Sequence, residues 1–94
     1  MKPSDFVKKG WCQHMSARDS HRKPVHVTDP EAAAWCMAGA VSAAYWEDVK
    51  RRGSIYDKLR AALGGESVSA IPQWNDAICR TQAEVVALLE QIGE

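Results

Sequence analysis

Fifteen consecutive residues, Ala32 to Trp46 (AAAWCMAGAVSAAYW), contain one clearly polar side chain, Ser42. A helix built from them is apolar on every face, and such a helix must be buried. The run is shorter than the roughly 20 residues a membrane span requires, so the burial is expected inside protein. Asp29 is placed to cap the free amides, Pro30 suits the first helical position, and Glu31 suits the positive end of the dipole. These signals predict a helix from Pro30. After Trp46 the pattern turns polar (Glu47, Asp48, Lys50, Arg51, Arg52), with cations at the negative end and Gly53 as a left-handed stop. The helix is therefore expected to end near Arg52. Ala32, Cys36, Gly39 or Ala40, and Ala43 recur at spacings of three and four, a strip of small side chains that lets another backbone approach closely. Trp35, Met37, Val41, Tyr45 and Trp46 supply bulk on the other faces.

A chain of 94 residues supports one adequate core, so a single small helical domain over residues 1–94 is expected. Twelve basic and twelve acidic residues cancel, which removes the basic excess of a dedicated nucleic-acid binder; no direct nucleic-acid binding is expected. The charge is uneven along the chain. Residues 1–29 carry a net +3 and all three histidines, and the remainder carries −3. Three cysteines without a charged-then-apolar leader argue for reduced thiols in a cytoplasm rather than a secreted disulfide framework.

Ser4 and Asp5 begin a short helix whose apolar contacts are Phe6 and Val7 and whose stop is Gly10. From Trp11 to Thr28 the pattern is irregular, with Pro24 and partial alternation at Val25, His26 and Val27, which predicts a long loop or a small hairpin with Val-His-Val as its second arm. Ser54 with Asp57 suggests the cap of a second amphipathic helix, its apolar face made by Ile55, Tyr56, Leu59, Ala62 and Leu63 as far as Gly64-Gly65. Residues 66–80 predict a loop with at most one helical turn, from which Val68, Ile71, Trp74 and Ile78 plug the core. Thr81 to Glu84 (TQAE) is a complete capping box, followed at helical spacing by Val85, Val86, Leu88, Leu89 and Ile92 before Gly93.

The combination of WCMAGAVSAA at 35–44, QWND at 73–76 and TQAEVVALLE at 81–90, preceded by a Trp-containing segment with Ala17-Arg18-Asp19 and by Asp29-Pro30, resembles a family of small bacterial and phage proteins defined only as a domain of unknown function. The resemblance covers roughly residues 11–92, and its most specific parts are the Cys-x-x-Gly-Ala helix and the Trp-Asn-Asp loop. It implies a mostly helical small domain and no particular activity. Cys12, Cys79 and the histidines lie outside that pattern.

No catalytic or metal motif of good specificity is present. Cys12 and His14, followed by isolated His21 and His26, fit no zinc spacing, and a polar loop with surface histidines is the plainer explanation, so neither metal nor cofactor is expected. Cys36 sits among apolar residues without the positive surroundings that activate a thiol, while Cys79 beside Arg80 lacks an obvious base. Trp74-Asn75-Asp76 is the most informative polar stretch: either it caps backbone amides, or Trp74 forms a stacking wall while Asn75 and Asp76 bind the edge of a ring. Arg18, Arg22 and Lys23, with Trp11 before them, suit a phosphate or carboxylate, against the plainer role of a solvated loop.

The expected fold is therefore all-α or mostly α, with a buried central helix and an N-terminal loop or short hairpin. The first functional expectation is a non-enzymatic binding module for a small anionic, nucleotide-like ligand, held by Trp11, Arg18, Arg22, Lys23, Trp74, Asn75 and Asp76; in a phage such a module sequesters a host defence signal. The second is a protein-binding inhibitor or adaptor of the anti-CRISPR type, using surface Trp and Arg on a host protein. An enzyme ranks third, a membrane role is not expected, and self-association is left open.

Overall fold

The structure, a computed structural model, describes residues 1–65, 67 and 69–94. In chain order the elements are α1 (Pro3–Lys9), β1 (Ala17–Asp19), β2 (Ala32–Trp35), α2 (Met37–Ala44), α3 (Val49–Leu63), α4 (Ala70–Asn75) and α5 (Gln82–Gln91). The expectation of an all-α or mostly α domain is thereby overturned. The described fold is mixed, about half helical, with a two-stranded antiparallel sheet.

The sheet takes residues that the sequence assigns to the central helix. Ala17, Arg18 and Asp19 pair with Trp35, Ala34 and Ala32. On its other edge β2 meets the segment after α1: Trp35 N donates to Gly10 O at 3.0 Å, and Cys12 N donates to Trp35 O at 3.3 Å, a parallel bridge between Trp11 and Trp35. Gly10 makes this approach feasible, because a Cβ there would stand 2.1 Å from Ala33 O. Asp29 caps no helix. Its Oδ1 accepts from Glu31 N (2.7 Å) and its carbonyl from Ala32 N (2.9 Å), a turn that feeds the strand. The expected hairpin exists in minimal form, with Asp19 N donating to Lys23 O (2.9 Å) and Val25 N to Ala17 O (3.1 Å).

The helix starts only at Met37, where Cys36 is its N-cap and Cys36 Sγ accepts from Gly39 N at 3.2 Å. It stops at Ala44, before the expected end, and Asp48 caps a new helix by accepting from Arg51 N (3.0 Å). Gly53 is thus no stop: α3 runs through it, and the predicted second helix begins before Ser54. Its end is as expected, with left-handed Gly64 (φ 72°) and Gly65 N donating to Arg60 O (3.2 Å). In the stretch predicted as loop, α4 supplies more than one turn; Val68 and Glu66 lie outside the described residues. Ile71 is buried and Trp74 packs at the core edge as expected, but Ile78 is 98 % exposed.

The capping box of α5 is present in both directions, Thr81 Oγ1 accepting from Glu84 N and Glu84 Oε1 from Thr81 N. Val7, Met37, Ala40, Val41, Ile55, Leu59, Val85 and Leu89 make the fully buried centre; α2 packs against α1, β2, α3 and α4, and α5 packs on α1. Its small strip serves a loop: a Cβ on Gly39 would stand 2.0 Å from Ser16 O. No described helix is long and apolar enough to cross a membrane.

Candidate functional site

The Trp-Asn-Asp segment closes α4 and lies against two distant parts of the chain. Asn75 is fully buried. Its Oδ1 accepts from Trp11 Nε1 (2.8 Å) and from Met37 N (3.0 Å), and its Nδ2 donates to Cys12 O (3.1 Å) and Asp76 Oδ1 (2.9 Å). A side-chain amide offers two donors and two acceptor positions, so Asn75 has none left. Gln13 adds to the same junction, with Nε2 donating to Asn75 O and Ala77 O, each at 3.0 Å. Asp76 Oδ1 also accepts from His14 N (2.9 Å), and Asp76 Oδ2 lies 3.6 Å from His14 Nδ1. His14 itself holds a left-handed backbone, φ 70°. Trp74 is half-buried beneath Arg80, whose guanidinium carbon is 3.7 Å from the ring centroid and whose Nε donates to Trp74 O (2.9 Å).

The structure brings Trp11, Asn75 and Asp76 together, with Trp74 adjacent in the chain but turned to Arg80. Arg18 joins this group indirectly: Nη2 donates to Gln13 O (3.2 Å) and Nη1 to Arg22 O (2.9 Å), which links that loop to the turn of the hairpin. Arg22 (φ 65°) and Lys23 stand exposed near its tip, and their side chains make no hydrogen bond among the described residues. The seven expected residues thus divide into a junction of Trp11 and Asp76 around buried Asn75, with Arg18 attached through Gln13 O, Trp74 packed under Arg80, and a separate basic tip.

Burial pushes the Cys12 thiol up to about 11, with the neighbouring Cys36 thiol acting in the same direction. Burial raises Cys36 too, against the opposing Gly39 N–H. Both thiols are therefore protonated at neutral pH, and any reaction through either must begin with loss of that proton. Among the described residues no group of three or more His, Cys, Asp or Glu is placed to hold a metal ion.

A different face is open. Of the four tryptophans only Trp46 is exposed, at 43 %. His26 meets its ring edge-on (centroids 4.6 Å, planes 88° apart), and the Arg52 guanidinium carbon is 5.0 Å from its centroid. Trp46 forms the common wall of two clefts. One, of about 330 Å³, is lined by Met15, Ala17, Val25, His26, Val27 and Ser42 among others; the second, of about 400 Å³, runs over Ala43 to Asp48. A third cleft of about 350 Å³ shares Met15 and Ser16 with the first and reaches His14, Cys36, Ala38, Pro72 and Asp76. Sequence reasoning assigned Trp46 to a buried helix and missed this face. The signal was Asp48, an N-cap residue just beyond it that marks a helix break.

Residues 6–94 match the family of unknown function DUF6197. The chain belongs to that family. No curated protein and no solved structure matches this DUF6197 chain.

Proposed function

We propose that this DUF6197 protein is a non-enzymatic binding module that docks on a protein partner through the face around Trp46. The observation that carries the reading is Trp46 itself, an exposed indole held by His26 and Arg52 between two clefts, with exposed Met15 beside one of them. Trp and Arg are the residue types that concentrate binding energy at protein interfaces, and a ring already fixed by its neighbours loses little freedom on docking. Arg52 makes no ion pair among the described residues, so the partner that fits presents an apolar side chain flanked by a carboxylate. In the bacterial or phage setting implied by the sequence resemblance, such a module works in the cytoplasm as an inhibitor or adaptor, counter-defence being one form.

A second reading, a small anionic nucleotide-like ligand, keeps the exposed Arg22 and Lys23 in its favour. It has less support at Asn75, which has no hydrogen-bonding position free, and at Arg18, which is engaged with two carbonyls.

The test places a photo-crosslinking residue at Ala44, beside the second cleft, and compares the partner captured in source cells with and without Trp46→Ala. A single stoichiometric protein, lost in Trp46→Ala at unchanged melting temperature, is the expected result. Saturable nucleotide binding abolished by Arg22→Ala with Lys23→Ala, with capture indifferent to Trp46→Ala, would replace this reading by the ligand one.

A further inference from the structure

We propose that Cys12 and Cys36 are a paired-thiol modification site, closing to an intramolecular disulfide by exchange with a low-molecular-weight disulfide of the glutathione class. The backbone register places them. Trp11 pairs with Trp35 in a parallel bridge, held by Trp35 N to Gly10 O and Cys12 N to Trp35 O. One step further along both segments puts Cys12 opposite Cys36. Side chains alternate along extended chains, so the two thiols leave on a common face, opposite to that of Trp11 and Trp35. Cys36 remains extended (φ −76°, ψ 173°), and only beyond it do the two segments part, where the Asn75 amide takes up Met37 N and Cys12 O. Paired strands lie about 4.8 Å apart, within the Cα separations of about 4.4–6.8 Å that a disulfide tolerates.

The electrostatics agree with the register. After burial, the largest influence holding the Cys12 thiol in its protonated form is Cys36, a coupling that a distant thiol would not exert. Both residues are buried, Cys12 at 3 % and Cys36 at 7 %, but they differ in access. Cys36 lines the cleft of about 350 Å³ bounded by His14, Ser16, Pro72 and Asp76, whereas Cys12 does not. Cys36 is thus the entry thiol and Cys12 the resolving one.

In the first step Cys36 loses its proton, and its thiolate attacks one sulfur of the small disulfide. That S–S bond breaks, and one small thiolate leaves and takes up the proton. In the second step Cys12 loses its proton and attacks Cys36 Sγ in the mixed disulfide. The second small thiol leaves protonated. The protein loses two electrons and two protons, and the small disulfide gains both. Cys79 is exposed, far along the chain and has no partner thiol in register.

The test uses the full chain carrying Cys79→Ser. Urea-unfolded protein is equilibrated in a buffer of reduced and oxidised glutathione, either diluted to native conditions or kept in urea, so that burial does not limit the exchange. After acid quenching, intact mass and peptide mapping give the Cys12–Cys36 disulfide in each case. The equilibrium constant is expected to be larger under native conditions by roughly tenfold or more, since a native geometry that fits the bond favours it. The oxidised form should also melt at a higher temperature than the reduced one. In Cys12→Ser or Cys36→Ser the product should be confined to a mixed disulfide. A native constant equal to or below the one in urea would overturn the proposal.

Discussion

Asn75 is a side chain on which three separate segments depend. Its four hydrogen bonds reach the loop after α1, the first turn of α2 and the end of its own helix. Asn75→Ala leaves the Trp11 indole, the Met37 amide and the Cys12 carbonyl without partners at a point closed to water, and each such loss costs about 1–3 kcal/mol. The variant should lose about 3 kcal/mol or more, measured as a lower urea midpoint, whereas Asp76→Ala, at a partly exposed site, should lose less. Cys12 sets a pH dependence. Its thiol titrates near 9.0 when unfolded and is pushed up to about 11 in the fold, so folding favours the protonated form. That contribution is complete below pH 9 and is lost as pH rises through about 11. Melting temperatures should fall over this interval, and less steeply in Cys12→Ala. The amide-capping role of Trp-Asn-Asp was legible from residue type, since Asn and Asp before a capped helix seek backbone groups. That both terminal nitrogens of Arg18 are engaged was not legible, because its partners depend on how a hairpin closes.

At the scale of elements, two signals confined to one turn were accurate, whereas Ser54 with Asp57, equally local, falls inside a helix that Asp48 already caps. The Thr81–Glu84 capping box and the Gly64-Gly65 end of α3 needed no tertiary information. The failure at Ala32–Trp35 has the opposite cause. Asp29-Pro30-Glu31 is a legitimate helix start and alanine is a strong helix former, yet these backbone groups are claimed by residues 10–12 and 17–19. Pairing with segments so far away leaves no trace in spacing. Gly53 offers a direct check. It lies inside α3, exposed, with nothing within 4 Å of a Cβ built on it. Gly53→Ala should therefore raise stability by roughly 0.5–1 kcal/mol, because alanine loses less backbone freedom in a helix. A lower urea midpoint would show that the residue does end a helix.

At the scale of the whole molecule, Glu94 ties the end of α5 to α1, to the end of α2 and to α3. Its side chain is 2 % exposed and accepts from Tyr45 Oη (3.0 Å) and Arg51 Nη2 (2.9 Å), while its carbonyl accepts from Ser4 N (3.0 Å). Glu94→Ala should cost about 2 kcal/mol by leaving the Tyr45 hydroxyl and the guanidinium without their acceptor, and thermal melts of the two chains would measure it. The Asn75 junction carries a consequence for how the molecule opens. Because one amide fastens three segments that are remote in sequence, none can swing out without breaking bonds in the other two. In deuterated solvent the Met37 amide and the Trp11 indole proton should exchange only through global unfolding, at one common slow rate. The amides of Asp19 and Val25, held by short pairings at the hairpin, should exchange earlier.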